Sequence, residues 1–480
     1  MQTQSVVPAA GASGSDVWQM AQNLHLDGKL EDAEKIYDQI LSQNTAHAGT
    51  LGCMAMLYLQ MGKPGLSIVL HHLAIDASKR EGKRGKPNTL ECPSDLLSNL
   101  GIAYKQAGLH AQARHWFERA VQMPNPSPES VAHYGATFIE GDNDAAIEYL
   151  TKAINQKPDH WIAHWNLALA LLSSGQWERG WREHEHGFRT QQRRDRVLGG
   201  RPRWRGPKQE PGITVAVYGE QGIGDEIMFA SMIHDVLKTN KVVIECHQRL
   251  VTLFERAFGP HGVNVYGTRE EESPAWPDTE AFDRQISIGS LGQYYRNKRD
   301  DFHGNPYLDA EPAPRSSRFR VGISWTGGQK AGRVRKRTVP LSWWKSILDN
   351  DAEFISLQYT DADEEIALVN ALGYDIAEPA EVKANDYYET AKLVRSCDLI
   401  ITVCTSVVHL AGALGVPCWV MTPKSPAWRY QNEGPMPWYR SVRLYRKPGT
   451  IEESWEPVVA KIGYDLAEML VERNRQEAVA

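Results

Sequence analysis

Two hydrophobic rhythms divide the chain. Between Asp16 and Phe188, apolar and small residues recur at helical spacing, and the pattern returns about every 34 residues. The clearest unit places Leu97, Leu100, Gly101 and Tyr104 on one helix, a turn at Gly108, then Ala113, Phe117 and Ala120 on a second, with Pro124 and Pro126 after it. The next unit, one residue shorter, carries Tyr134, Gly135, Phe138, Ala146, Leu150, Ala153 and Pro158. A further one reads Leu167, Ala168, Leu171, Gly175, Gly180 and His184. Upstream, Met20, Ala21, Leu24, Gly28, Ala33 and Tyr37 fit the same frame, and a weaker unit holds Ala55, Gly62 and Ala74 before a polar insert from Lys79 to Lys86.

This pattern resembles the tetratricopeptide repeat (TPR), a helix hairpin whose small residues let its two helices touch. About five repeats are expected over residues 16–188, after a flexible N-terminus at 1–15. One hairpin cannot bury its apolar face alone, so the units must stack into an α-solenoid. In such repeats the sixth position faces the concave groove; here it holds Gln19, Cys53, Asn99, His133 and Asn166. An amide donates and accepts at once and so suits a peptide backbone. Asn99 and Asn166 resemble the asparagine ladder of O-GlcNAc transferases, which implies a protein partner in the groove.

The second rhythm begins near Ile213. Short apolar runs at 213–218, 242–246 and 263–266 alternate with helical stretches at 227–237 and 250–258. After the proline-bounded stretch Pro306 to Pro314 the alternation restarts. Strands are expected at 320–325, 353–358, 399–403 and 417–421, and helices at 342–348, 363–372, 387–395, 407–414 and 455–473. Alternation of this kind predicts parallel sheets covered by helices. We therefore expect two α/β lobes, at 212–312 and 313–480, with ligands at the carboxyl ends of the strands. Between repeats and lobes, residues 189–211 hold Arg189, Arg193, Arg194, Arg196, Arg201, Arg203 and Arg205 amid glycine and proline. They read as a solvated linker packing on the acidic repeats, or as a contact for an anion or acidic partner.

Composition narrows the classes. A net charge of -6 argues against a general nucleic-acid binder. Six dispersed cysteines without a CxxC pair argue against a disulfide framework or structural zinc and for a reducing compartment, hence a cytoplasmic location. No basic stretch followed by an apolar core marks residues 1–15 as a signal, and no apolar run is long enough to span a bilayer.

Three segments at strand ends carry candidate chemistry. Gly219 to Glu226 is a glycine-rich strand-to-helix turn, lacking both the Walker lysine and the GxGxxG spacing. Its carboxylates Glu220, Asp225 and Glu226 are candidate general bases for an acceptor hydroxyl. Gly327 to Thr338 is rich in cations, among them Lys330, Lys336 and Arg337, as phosphate neutralisation needs. Cys404 to His409 ends a strand and begins a helix; Thr405 or Ser406 is a natural cap, and the exposed N–H groups suit a diphosphate. Asp361 and Asp363 form a DxD, but so do Asp142 and Asp144 inside a repeat, so the motif argues little for a metal.

The order of these segments, Gly222-Ile223-Gly224-Asp225, then Gly322-Ile323-Ser324-Trp325 and Arg337-Thr338-Val339-Pro340-Leu341, then Asp398 through Pro417, resembles the family 9 heptosyltransferases. With Gly175-Gln176-Trp177-Glu178-Arg179-Gly180-Trp181 and Trp428-Arg429-Tyr430, it resembles bacterial proteins that fuse TPR repeats to such a domain. The resemblance implies a GT-B fold of two Rossmann-like lobes. It implies a metal-free, cofactor-free inverting transfer from a nucleotide-sugar on the second lobe to a protein, flagellin or another surface protein among them. Asp225 matches the base of that family. Gly222, Gly224, Gly327, Lys336, Arg337, Gln358, Thr405, Ser406 and His409 match the donor side, where Trp325, Trp428 or Tyr430 would stack on the nucleobase. Oligomers through the repeats fit the same picture. The family usually shows Asp-Thr where this chain has Cys404-Thr405. Two rivals stand beside this reading: a non-catalytic TPR scaffold with a degenerate transferase domain, and a lipopolysaccharide heptosyltransferase.

Overall fold

The computed structural model describes residues 14–83, 93–139, 141–270, 281–327, 337–449 and 454–479. The chain divides into two compact units, residues 1–167 and 168–480.

The first unit is helical: α1 (Gly14–Leu26), α2 (Leu30–Gln43), α3 (Ala48–Gln60), α4 (Pro64–Lys83), α5 (Pro93–Gln106), α6 (His110–Val121), α7 (Pro128–Ala136), α8 (Asn143–Gln156) and most of α9 (Trp161–Ser173). Helices pack in consecutive pairs, α1 on α2, α3 on α4, α5 on α6 and α7 on α8. The turns inside the first three pairs are closed by Gly28, Gly62 and Gly108, all with φ near +75°. The shorter fourth pair turns instead on Asp142, whose side chain accepts from the Ala145 amide at 3.0 Å. A Cβ at Gly101 would lie 2.6 Å from the Phe117 ring, so only glycine lets α5 and α6 close on that phenylalanine. The polar insert after Lys79 begins as a continuation of α4, which runs to Lys83. Asn99 and Asn166 are half-buried, on α5 and α9. The equivalent His133 is mostly buried, its Nδ1 2.8 Å from the Ser98 hydroxyl and its ring against Phe117, so the amide ladder is interrupted there.

The second unit starts inside α9, within the array expected to run to residue 188. The end of α9 and α10 (Trp177–His184) belong to it because Leu172, Trp177 and Trp181 are buried in the same apolar core as the first sheet. The arginine-rich stretch after α10 is likewise no solvated linker. Trp204 is buried, its amide donates to Gln285, and the side chains of Arg193 and Arg196 are buried against Glu220 and Glu245. Arg193 and Arg196 meet carboxylates of the first sheet, and Arg193 and Arg203 also pair with Glu185 just after α10.

That sheet holds β1 (Thr214–Tyr218), β2 (Lys241–Glu245), β3 (Asn264–Tyr266) and β4 (Arg284–Ser287), all parallel, in the order β3-β2-β1-β4. Its helices are α11 (Ile223–Ala230), α12 (Ile233–Leu237), α13 (Val251–Phe258) and α14 (Gly292–Tyr295). The second sheet holds β5 (Arg320–Ser324), β6 (Glu353–Ser356), β7 (Ile376–Ala377), β8 (Leu399–Val403), β9 (Cys418–Thr422) and β10 (Val442–Arg446). It is also fully parallel, in the order β10-β9-β8-β5-β6-β7. Around it lie α15 (Lys345–Leu348), α16 (Asp363–Ala371), α17 (Tyr387–Arg395), α18 (Ser406–Leu414) and α19 (Glu456–Val479). The continuous apolar strands follow from burial on both faces. In each sheet the winding direction reverses once, beside β1 in the first and between β5 and β8 in the second. Such reversals open a crevice at the strand carboxyl ends. Among the described residues no helix is long and apolar enough to cross a membrane.

Candidate functional site

The turns after β1 and after β8 stand at these two reversals, and the helices they start pack against each other. A Cβ at Gly224 would lie 3.1 Å from His409 Cδ2 and 3.2 Å from Ser406 Cα, so glycine sets how closely α11 meets α18. Gly327, at the end of β5, lies against Thr405 and the Cys404 carbonyl. Segments far apart in sequence therefore converge on one seam.

The turn after β1 presents fewer carboxylates than its sequence offers. Glu220 is fully buried and ion-paired at 2.6 Å with Arg193, which also donates to Ser287, Ser290 and Glu185. It braces the turn and is not free to take a proton from an acceptor. Glu226 is also buried, paired with Arg269, and accepts from the His247 amide at 2.9 Å. Burial pushes its carboxyl up to about 7 against the pull of Arg269. Both depart from the expectation of three candidate bases, because each side chain is buried as well as paired with an arginine. Asp225 alone remains partly exposed, in the first turn of α11, with Gly222 as the cap residue before it. It is paired with Arg429, which comes from the short helical turn Trp428–Tyr430 of the second sheet's side.

The turn after β8 is cationic. Thr405 caps α18, its hydroxyl accepting from the Val407 amide at 3.3 Å. The Ser406 hydroxyl accepts from Tyr387 at 2.9 Å, and His409 Nδ1 lies 3.3 Å from the Tyr439 hydroxyl. Burial, then the charges of Arg429 and Arg337, hold His409 well below the usual imidazole range, so it is neutral. Arg337 reaches the Cys404 carbonyl at 3.5 Å. Burial pushes the Cys404 thiol up to about 11, against the nearby charges of Arg337, Arg429 and Arg446. A buried, neutral thiol lies at the turn whose carbonyl Arg337 reaches, while Asp225 of the other turn is paired with Arg429.

Several expected donor contacts fall elsewhere. Trp325 is fully buried and donates to Glu365 at 2.7 Å, and Trp428 sits among Trp181, Phe229 and Trp438. Tyr430 is equally buried. None of the three offers a face for a nucleobase. Gln358 is buried, its carbonyl oxygen accepting from the Ser324 hydroxyl and the Trp325 and Thr326 amides, so it braces the loop after β5. Lys336, with Lys330 to Arg335, lies outside the described residues. The DxD pair is at the exposed start of α16, where Asp363 binds Lys383. Sequence reasoning missed Arg429 and Arg446. Their signal was the Trp428-Arg429-Tyr430 triplet, in which the rings drew attention and the arginine faces the site. A cavity of about 240 Å3 opens beyond the far end of α11, lined by Ser231, His234, Asp235, Lys238, Arg296 and Trp438 among others, away from this seam.

With this geometry, comparison with known proteins begins with the repeat class. Residues 138–180 match the tetratricopeptide repeat model, across α8, α9 and the first half of α10, so the chain carries a TPR repeat domain. A curated relative is Protein FlbA of Caulobacter vibrioides, 26% identical over 405 residues. The match takes in 76% of this chain and 66% of that protein, so the chain spans just under two thirds of the relative's length. Among solved structures, the TPR protein YrrB is 19% identical with a TM-score of 0.28, covering 38% of this chain and 87% of that one. PilF of Pseudomonas aeruginosa is 14% identical with a TM-score of 0.31, covering 36% and 75%.

Proposed function

We propose that the chain is an inverting glycosyltransferase of GT-B type, moving a sugar from a nucleotide-sugar to a protein acceptor recruited by the repeats. One observation carries this reading: an accessible carboxylate and a cationic, capped helix N-terminus meet at the two strand-order reversals. The acceptor hydroxyl attacks the anomeric carbon and passes its proton to Asp225. The bond from that carbon to the diphosphate breaks, and the electron pair leaves with the diphosphate. Arg337, Arg429 and the first amides of α18 stabilise the charge that develops there. Attack opposite the leaving group inverts the anomeric centre. Cys404 does not oppose this, because a neutral thiol leaves the guanidinium charge uncompensated for an anion.

The test is a thermal-shift titration of the full chain with UDP, GDP, ADP, CMP and their sugars. Saturation at 100 times the dissociation constant stabilises by about 2.7 kcal/mol. Stabilisation by one nucleotide family, with release of that nucleotide on adding acceptor protein, supports the transferase. No stabilisation by any of them favours a TPR scaffold with a degenerate domain. A heptosyltransferase proper would respond to ADP-heptose and glycosylate lipopolysaccharide instead of protein.

A further inference from the structure

The carboxylate assigned as base is engaged: Asp225 Oδ1 accepts from the guanidinium of Arg429. That guanidinium occupies one of the two oxygens an acceptor hydroxyl would approach. Arg429 is nevertheless poised for a second partner. Its charge also bears on His409 and Cys404, the residues of the cationic turn. Its Nε is buried and has no hydrogen-bond partner. The residue two positions on, Gln431, has φ 53° and ψ 164°, a region that side-chain-bearing residues rarely enter. Arg446 holds that backbone, donating to the carbonyls of Gln431 (2.8 Å) and Tyr430 (3.0 Å), and the Gln431 side-chain Nε2 donates to the Leu172 carbonyl at 3.3 Å. The Arg429 turn is thus fixed while the end of its side chain is shared between the two strand-end turns.

We propose that Arg429 exchanges partners: without donor it binds Asp225, and an arriving diphosphate takes the guanidinium and frees Asp225 to act as base. The exchange rests on the transferase reading above. It makes the base competent only when the leaving group is already in place, which favours donor binding before acceptor turnover. A guanidinium suits the role because its planar fork serves carboxylate and phosphate with the same geometry.

The two anions compete for one cation, so removing the carboxylate must tighten the other. The probe is inorganic pyrophosphate, measured by calorimetry on the full chain without divalent metal. Asp225→Asn should bind pyrophosphate about fivefold tighter or more than the unmodified chain. Arg429→Gln should weaken binding, and Asp225→Asn added to Arg429→Gln should change nothing further. Equal tightening in both backgrounds would mean simple charge repulsion and overturn the exchange, as would no tightening in the single variant. Arg429→Lys covers the chance that Arg429→Gln does not fold. It keeps the charge without the fork, and should retain pyrophosphate binding but lose most of the tightening; full tightening with lysine also overturns the exchange. If the unmodified chain binds neither pyrophosphate nor any nucleoside diphosphate, the transferase reading itself falls. If it binds them and the Asp225→Asn effect is missing, the exchange alone falls.

Discussion

The turns after β1 and after β8 have the same local architecture and opposite chemistry. Each ends a buried parallel strand and starts a helix. The first has no side-chain cap and places Asp225 and Glu226 in the opening turn of its helix. The second is capped by Thr405, has no acid in its opening turn, and has Arg337 on the carbonyl of its Cys404. The fold supplies two equivalent positions, and the proposed reaction assigns a proton to one turn and negative charge to the other.

The sharpest way to break this comparison is to remove the proton acceptor. Asp225→Asn should lower turnover by about 10² to 10⁴-fold, the range of general base catalysis, without losing nucleotide affinity. Steady-state kinetics beside calorimetry separate the two, and unchanged turnover would end the base assignment. Forcing the turns apart comes next. Gly224→Val places a side chain against Ser406 and His409, and should cost about 1–3 kcal/mol in denaturant unfolding as well as weaken nucleotide binding. A neutral result would mean that α11 and α18 do not meet as described. Thr405→Ala deletes the cap and should cost about 1 kcal/mol, while Thr405→Ser, which keeps the hydroxyl, should cost less.

A pH dependence compares two buried groups of opposite sign. Glu226 sits above its ordinary 4.5, at about 7, so the folded chain binds that proton more readily than the unfolded one. Its contribution is full at low pH and is lost as pH rises through about 7. Whatever the absolute stability of Glu226→Gln, the variant should gain on the unmodified chain between about pH 5 and about pH 8. His133 in the repeats has the opposite sign. Burial lowers it to about 4, so its contribution is present above 6.5 and fades as pH falls through about 4. Urea titrations of Glu226→Gln and His133→Asn should therefore drift in opposite directions with pH. Parallel drifts would contradict the burial assigned to one of them.

The repeats were legible because their signals are local. Helical spacing, turn glycines and the close Gly101–Phe117 contact all lie within one hairpin. The strands that were missed lack such signals. β4 is four residues with Arg284 and Gln285 in it, β7 is two residues, and β10 alternates with arginines at the sheet edge. The compact-unit boundary falls inside the expected repeat array because Trp177 and Trp181 sit in a repeat-like pattern, while their burial is decided by a core formed with residues far along the chain.

The sequence by itself determined the helical pairs, the two alternating α/β stretches, the three strand-end segments and their order. These follow from periodicity and turn chemistry within a few residues. Only the tertiary structure decided which carboxylate at the first turn stays accessible. Glu220, Asp225 and Glu226 differ little as sequence, but Arg193, Arg429 and Arg269 come to them from distant elements. Ion pairing and burial are set by strand order and helix packing, and no local pattern encodes those partners.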